Sequence, residues 1–247
     1  MSKNVIALCV LVGAAACGDD GSPAQPDAHV TPMADAAVDS PPQVTCQAKS
    51  LRTDLTWAGN NRTDLNNWLA SRGCNSAGYD AAKKPVALFD WDNTISKNDF
   101  GDAVTFWLVA NDKIRQPPLQ DWTKTSGYMT AAGAAALTAA CGTTVAAGDV
   151  LPTSTNTACA NEILSMYIDN VTTGAQTAFA GHDYRTMEPT YAWTAQLMAG
   201  YTDAEVQAFA TAAITPQLGN AEGSTQTIGT RTGLNNWLRI YDQSKDL

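Results

Sequence analysis

Two aspartates separated by a single residue are the side chains of this sequence best placed to do chemistry. They are Asp90 and Asp92, in the segment 89–95 whose sequence is FDWDNTI. A carboxylate such as Asp90 can attack a phosphorus centre and form an aspartyl-phosphate. Asp92 can then protonate the leaving oxygen and later deprotonate the water that hydrolyses the intermediate. Two carboxylates facing a phosphate require a hard cation, and Mg²⁺ with oxygen ligands fits this need. Asn93 and Thr94 would turn the backbone and donate hydrogen bonds to the phosphate.

The elements around this pair are predicted from hydrophobic patterning. The apolar run 85–89 lies between Lys83-Lys84 and the polar residues of the motif, which predicts one buried strand. Ligand sites in open α/β sheets lie just past the carboxyl ends of such strands. Apolar residues then recur at helical spacing through 100–108, with Ser96 or Asn98 available as the N-cap of that helix.

The rest of the body is predicted to be mostly helical. An earlier helix is expected around 65–69, with Thr63 as a plausible N-cap and Gly73 after its end. Between 114 and 223 there is no second strong strand. The helical candidates there are 128–140, 158–169, 190–199 and 203–214. A final helix is predicted over about 234–247, and the near-repeat of 62–69 at 231–238 is interpreted as two similar helix starts.

The segment 89–95 resembles motif I of the haloacid dehalogenase (HAD) superfamily, in its phosphoserine-phosphatase-like branch. The resemblance implies that Asp90 is the nucleophile and a Mg²⁺ ligand. It implies that Asp92 is the general acid/base, with its backbone carbonyl on the same metal. An aspartate at this second position favours phosphatases and phosphotransferases over the dehalogenases and P-type ATPases of the superfamily. Asn61-Arg62 upstream adds a similarity to phosphorylcholine-phosphatase-like members.

The same resemblance implies an α/β fold. Its core would be HAD-like and Rossmann-like, with only the first strand region evident here, and an all-helical cap would be inserted after motif I. Residues 46–113 would begin the core, 114–223 would form the cap, and 224–247 would return to a truncated core.

Several parts that the family requires are missing from this sequence. They are a Ser or Thr ending a second strand, a Lys, and a further acidic pair for the metal. No lysine after the motif follows a convincing second strand, and the adjacent pair Asp19-Asp20 lies near the N-terminus. We therefore expect the chain to be the N-terminal part of a longer protein, holding the nucleophile and the cap but inactive alone.

The N-terminus predicts export and anchoring to a membrane. Residues 1–17 have the pattern of a bacterial signal peptide that ends Ala-Ala-Ala-Cys, and this resembles a lipobox with Cys17 as the lipidated residue. The alternative is ordinary cleavage near Ala16. Residues 18–45 are rich in Pro, Ala, Asp and Ser, which predicts a disordered acidic tether. The predicted location is the bacterial cell envelope, facing the periplasm or on the cell surface.

Net charge and cysteine content indicate which partners and which cellular compartment to expect. The formal net charge of the 247 residues is −9, which argues against a nucleic-acid partner. Four cysteines in the body, without a CxxC pair, predict disulfides in an oxidising compartment. Three pairings are possible, and the local one, Cys46 with Cys74 and Cys141 with Cys159, is preferred because each bond closes a modest loop.

Three functional hypotheses follow. The first is a Mg²⁺-dependent phosphomonoester hydrolase that acts on a small phosphorylated substrate. The second is a non-catalytic HAD-like lipoprotein that binds phosphate, metal or a protein partner. The third is phosphotransfer to an acceptor other than water. The sequence identifies neither the substrate nor the oligomeric state.

Overall fold

Six α-helices dominate the residues that the structure describes. The computed structural model describes residues 50–183, Arg185 and 188–246. The helices are α1 Asn61–Arg72, α2 Phe100–Ala110, α3 Ala131–Cys141, α4 Thr157–Asp169, α5 Pro189–Gln196 and α6 Asp203–Gly219. Each one overlaps a helix expected from the sequence. The predicted signal peptide, the lipidation of Cys17, the acidic tether and Cys46 lie outside the described residues.

Four short strands form two small antiparallel sheets. They are β1 Ser96–Lys97, β2 Thr225–Ile228, β3 Arg231–Asn235 and β4 Arg239–Ile240. Strand β1 pairs with β4, and β2 pairs with β3. The expectation of a mixed, mostly helical chain is confirmed. The predicted helix over 234–247 is wrong, since that stretch contains the end of β3, the strand β4 and a 3₁₀ turn at Gln243–Asp246.

The hydrophobic core lies between helices α2, α3 and α4 and the segments that join them. Helix α4 contributes the fully buried Ile163 and Leu164, and α2 contributes Val109. Full burial of one such aliphatic side chain stabilises a fold by about 1.5–3 kcal/mol. The α2 and α4 helices also contact each other directly, and α2 packs against α6.

Two helix starts show how capping fixes the helix ends. Thr202 and Glu205 form a reciprocal capping box at the start of α6. Helix α2 is capped by Asp99, whose side chain accepts a hydrogen bond from the backbone N–H of Asp102. The expected caps of α2, Ser96 and Asn98, are therefore wrong. Ser96 belongs to β1 and Asn98 contacts the C-terminal part of the chain.

The disulfide between Cys141 and Cys159 is present, as expected. It joins the last residue of α3 to the first turn of α4 across a sequence separation of 18. Cys74 is also disulfide-bonded, and Cys46, its predicted partner, lies outside the described residues.

The buried strand predicted at 85–89 is wrong. Residues 81–91 are exposed and form neither helix nor strand, and Val86 and Leu88 are 78% and 92% exposed. A buried strand needs paired neighbours and apolar layers on both faces. The described residues pair no strand with this run and contain no parallel sheet. The Rossmann-like core is therefore not seen in them.

None of the helices in the described part of the chain is both long enough and apolar enough to cross a bilayer.

Removing the Cys141–Cys159 disulfide tests how much it stabilises the helical core. We expect the double variant Cys141→Ala/Cys159→Ala to lose roughly 3 kcal/mol of unfolding free energy, because an open loop of this size gains entropy in the unfolded chain. Urea denaturation followed by circular dichroism measures the loss. A change below about 1 kcal/mol would show that the core does not depend on this bond.

Candidate functional site

The candidate site is a tight turn that follows the exposed run 85–89. The carbonyl oxygen of Trp91 accepts hydrogen bonds from the backbone N–H groups of Thr94, Ile95 and Ser96 at 3.3, 2.8 and 3.0 Å. Asn93 adopts a left-handed conformation with φ of 57°, which asparagine tolerates better than most residues. The motif therefore forms a hydrogen-bonded turn of its own, even though no strand precedes it.

The C-terminal side of this turn is anchored to the end of the chain. Ser96 and Lys97 of β1 pair with Ile240 and Arg239 of β4. The side-chain amide of Asn98 also donates to the carbonyl oxygen of Trp237 at 3.0 Å. The turn is thus held on one side by the pairing with β4.

Asp90, the predicted nucleophile, lies on the unanchored side of the turn. Its side chain is exposed. The hydroxyl of Thr94 donates a 3.3 Å hydrogen bond to Asp90 Oδ2. The backbone N–H of Asn98 donates to Asn93 Oδ1 at 3.2 Å. The four residues of the predicted motif, 90 and 92–94, therefore lie in one turn. Within this turn, the side chains of Asp90 and Thr94 are hydrogen-bonded to each other.

Asp92, the predicted acid/base, is half-buried beside the start of α2. Its Oδ1 accepts a hydrogen bond from the backbone N–H of Phe100 at 2.8 Å. Burial is the main cause that raises the pKa of the Asp92 carboxyl above its usual range, and neighbouring Asp99 and Asp90 raise it further. The Phe100 N–H opposes the shift because it stabilises the charged form. A carboxyl with a raised pKa is suited to act as a general acid.

Behind Asp92 lie residues that the sequence analysis did not identify. Asp99 caps α2, and the hydroxyl of Tyr167 on α4 donates a short hydrogen bond to Asp102 Oδ1. Burial raises the pKa of Asp102, and the Tyr167 hydroxyl partly offsets that shift. Burial and the bond to Asp102 raise the pKa of Tyr167 as well. Asp99 and Asp102, at the start of an amphipathic helix, were a usable N-cap signal. No pattern in the sequence identified Tyr167 as part of this group.

Helix α5 also faces this group of carboxylates. Partial burial, and then the negative charges of Asp99 and Asp102, raise the pKa of the Tyr191 hydroxyl. Tyr191 lies in the first turns of α5, within the segment predicted to be the cap. The structure thus brings one side chain of that segment into the electrostatic field of the acidic turn.

The described residues supply part of a magnesium ligand set. They contain no group of three or more His, Cys, Asp or Glu side chains that could hold a metal ion. Asp90 offers hard carboxylate oxygens and Asp92 a backbone carbonyl oxygen, and Mg²⁺ in proteins is often bound by one or two carboxylates together with water and substrate phosphate. The chemistry of this pair fits such a partial site.

Comparisons with known proteins give no match. Neither protein-family models, nor curated proteins, nor solved structures match this chain. The case for its function therefore rests on the residues and their geometry.

Replacing Asp102 tests the buried carboxyl behind the site. A raised pKa means that the folded protein keeps this proton to a higher pH than the unfolded chain does, so the wild type loses stability as pH rises through that interval. Asparagine does not ionise and can still accept from Tyr167. We expect Asp102→Asn to be more stabilising, relative to wild type, at pH 7 than at pH 4, as measured by urea denaturation.

The matched control is Asp203→Asn, which removes an exposed aspartate from the first turn of α6. The two variants share the loss of a negative charge near a helix N-terminus. Equal pH dependence in both would contradict the role given to burial at Asp102.

Proposed function

We propose that this chain carries the nucleophile and the general acid/base of a Mg²⁺-dependent phosphomonoester hydrolase that works through an aspartyl-phosphate. One observation carries the proposal: two aspartates in a single turn have different environments. Asp90 is exposed and accepts a hydrogen bond from the Thr94 hydroxyl, whereas Asp92 is half-buried with a raised pKa. In enzymes, such a difference in environment gives two neighbouring carboxyl groups different catalytic roles.

The reaction has two displacements at phosphorus. In the first, a carboxylate oxygen of Asp90 bonds to phosphorus while the bond to the leaving oxygen breaks, and Asp92 gives that oxygen its proton. In the second, Asp92 takes a proton from water as the water oxygen bonds to phosphorus and the Asp90–phosphate bond breaks. The products are the alcohol and inorganic phosphate, and both aspartates return to their starting forms.

The surrounding residues orient these two groups. The Phe100 N–H fixes one oxygen of Asp92, and the Thr94 hydroxyl holds one oxygen of Asp90. Asn93 keeps its side-chain NH₂ available for a phosphate oxygen, since its Oδ1 is used by the backbone of Asn98. Magnesium, bound by the carboxylate of Asp90 and the backbone carbonyl of Asp92, would neutralise phosphate charge.

The cellular setting belongs to the same proposal. We place the protein in the bacterial cell envelope, anchored by a lipid on Cys17 and facing the periplasm or the outside. The Cys141–Cys159 disulfide supports an oxidising compartment. The substrate would be a small phosphorylated molecule.

A second candidate function is a non-catalytic lipoprotein with a HAD-like fold that binds phosphate, metal or a protein partner. The exposed apolar side chains of Val86 and Leu88, directly before the acidic turn, favour it because exposed apolar surface is typical of interaction sites.

Substituting the two aspartates separates the candidates. In the protein encoded by the complete reading frame, we expect Asp90→Asn to lower the rate of aryl-phosphate hydrolysis with Mg²⁺ on the order of a thousandfold or more. Asp92→Asn should lower kcat on the order of 10²–10⁴-fold. Asp64→Asn, an exposed aspartate in the first turn of α1, is the control that should leave the rate unchanged.

Activity that survives Asp90→Asn would overturn the nucleophile assignment. A folded wild-type protein that hydrolyses no phosphomonoester, but binds phosphate or Mg²⁺ in calorimetry, would instead favour the non-catalytic candidate.

A further inference from the structure

A cavity in the helical segment lies apart from the acidic turn. It has a volume of about 230 Å³ and is lined by the 3₁₀ turn Trp122–Thr125, the loop that follows it, and one face of α5. Ligand pockets for drug-sized molecules start at roughly 300 Å³, so this cavity suits a smaller ligand. None of its lining residues belongs to the segment 89–95.

The lining is rich in hydrogen-bond donors that have no protein partner. Within the part of the chain that the structure describes, the Gly127 backbone N–H, the Tyr128 hydroxyl and the Gln196 side chain make no hydrogen bond. Lys124 adds a positive charge. A lysine ammonium and a backbone N–H can only donate, whereas a hydroxyl and an amide can do both.

No carboxylate is among the described residues that line the cavity. The nearest acidic contact of Lys124 is Asp121, at 3.8 Å, and both side chains are largely exposed. Exposed ion pairs of this kind contribute about 0–1 kcal/mol, so Lys124 can turn from Asp121 to a ligand at little cost. The balance of charge and donors in the cavity therefore favours an anion.

The floor of the cavity is rigid. Trp193 is fully buried, and its indole N–H donates to the Thr125 hydroxyl at 2.8 Å. That hydroxyl in turn donates to the carbonyl oxygen of Trp122 at 2.7 Å. These bonds fix Thr125, directly before the loop that lines the cavity.

We propose that this cavity binds a small oxyanion, with Lys124, the Gly127 N–H and the Tyr128 hydroxyl as its principal contacts. Inorganic phosphate and a small carboxylate share the required chemistry. The site is separate from the proposed catalytic turn and does not depend on phosphatase activity.

A titration of the ¹⁵N-labelled chain with sodium phosphate, at ionic strength held constant with sodium chloride, tests the site. We expect saturable shifts of the Ser126 and Gly127 amide resonances. Lys124→Ala should weaken the affinity about tenfold, because one charge-assisted hydrogen bond is lost. Lys83→Ala, which removes an exposed lysine from the turn before residue 85, should leave the affinity unchanged.

A parallel titration with sodium acetate distinguishes the source of the oxyanion. Saturable shifts with both anions indicate a site for carboxylates and phosphates, and shifts with phosphate alone indicate a phosphate site. Either result supports the proposal. Shifts that fail to saturate, that sodium chloride reproduces, or that Lys124→Ala leaves unchanged would overturn it.

This titration measures binding and not hydrolysis. It can therefore disprove the anion site without disproving the proposed phosphatase activity, and the activity assay can disprove the phosphatase without disproving the anion site. Circular dichroism of Lys124→Ala confirms that the variant is folded. The side chain is exposed, so we expect its spectrum to match that of the wild type.

Discussion

The start of helix α2 is the constraint on which the candidate site depends. Burial of the apolar face of α2 against α4 and α6 fixes the direction of the helix, and hence the direction in which the Phe100 N–H points. That N–H donates to the Asp92 carboxylate, so hydrophobic packing orients the proposed acid/base. The run 85–89 has no comparable support, and Asp90 lies next to it. The proposed acid/base, Asp92, is thus positioned by the core, while the proposed nucleophile, Asp90, lies where the anchored turn meets an exposed segment.

An element of the fold could be predicted when the sequence pattern that specifies it lies within a few neighbouring residues. The helices around 61–72 and 203–219 carry their periodicity within a few residues, and they were found. The predicted N-cap of the first helix, Thr63, is wrong, because the helix begins earlier and its N-cap is Asn60. The repeats 62–69 and 231–238 differ at one position, where Asp64 is replaced by Gly233. The first repeat is helical, and the second enters β3 with φ of 74° at Gly233. Glycine weakens a helix by about 1 kcal/mol and permits this backbone, so Gly233 and the pairing with β2 both favour a strand over a helix in the second repeat.

In the candidate site, too, only the residues that are close together in the sequence could be predicted. The spacing of Asp90 and Asp92 identified the chemical pair, because both carboxylates belong to one short turn. Tyr167 could not be found, since it meets Asp102 across 65 residues of sequence. The strand expected at 85–89 failed for a related reason: a buried strand is a property of its neighbours in a sheet, which the strand's own sequence does not specify.

The most direct test of the central claim is to identify the residue that becomes phosphorylated. The protein encoded by the complete reading frame is mixed with an aryl phosphate and Mg²⁺, quenched in acid during turnover, and digested for mass spectrometry. Our account predicts a hydroxylamine-sensitive phosphoryl group on Asp90, absent from Asp90→Asn. Turnover with no covalent phosphoryl-protein, or with the phosphoryl group on a different residue, would contradict it.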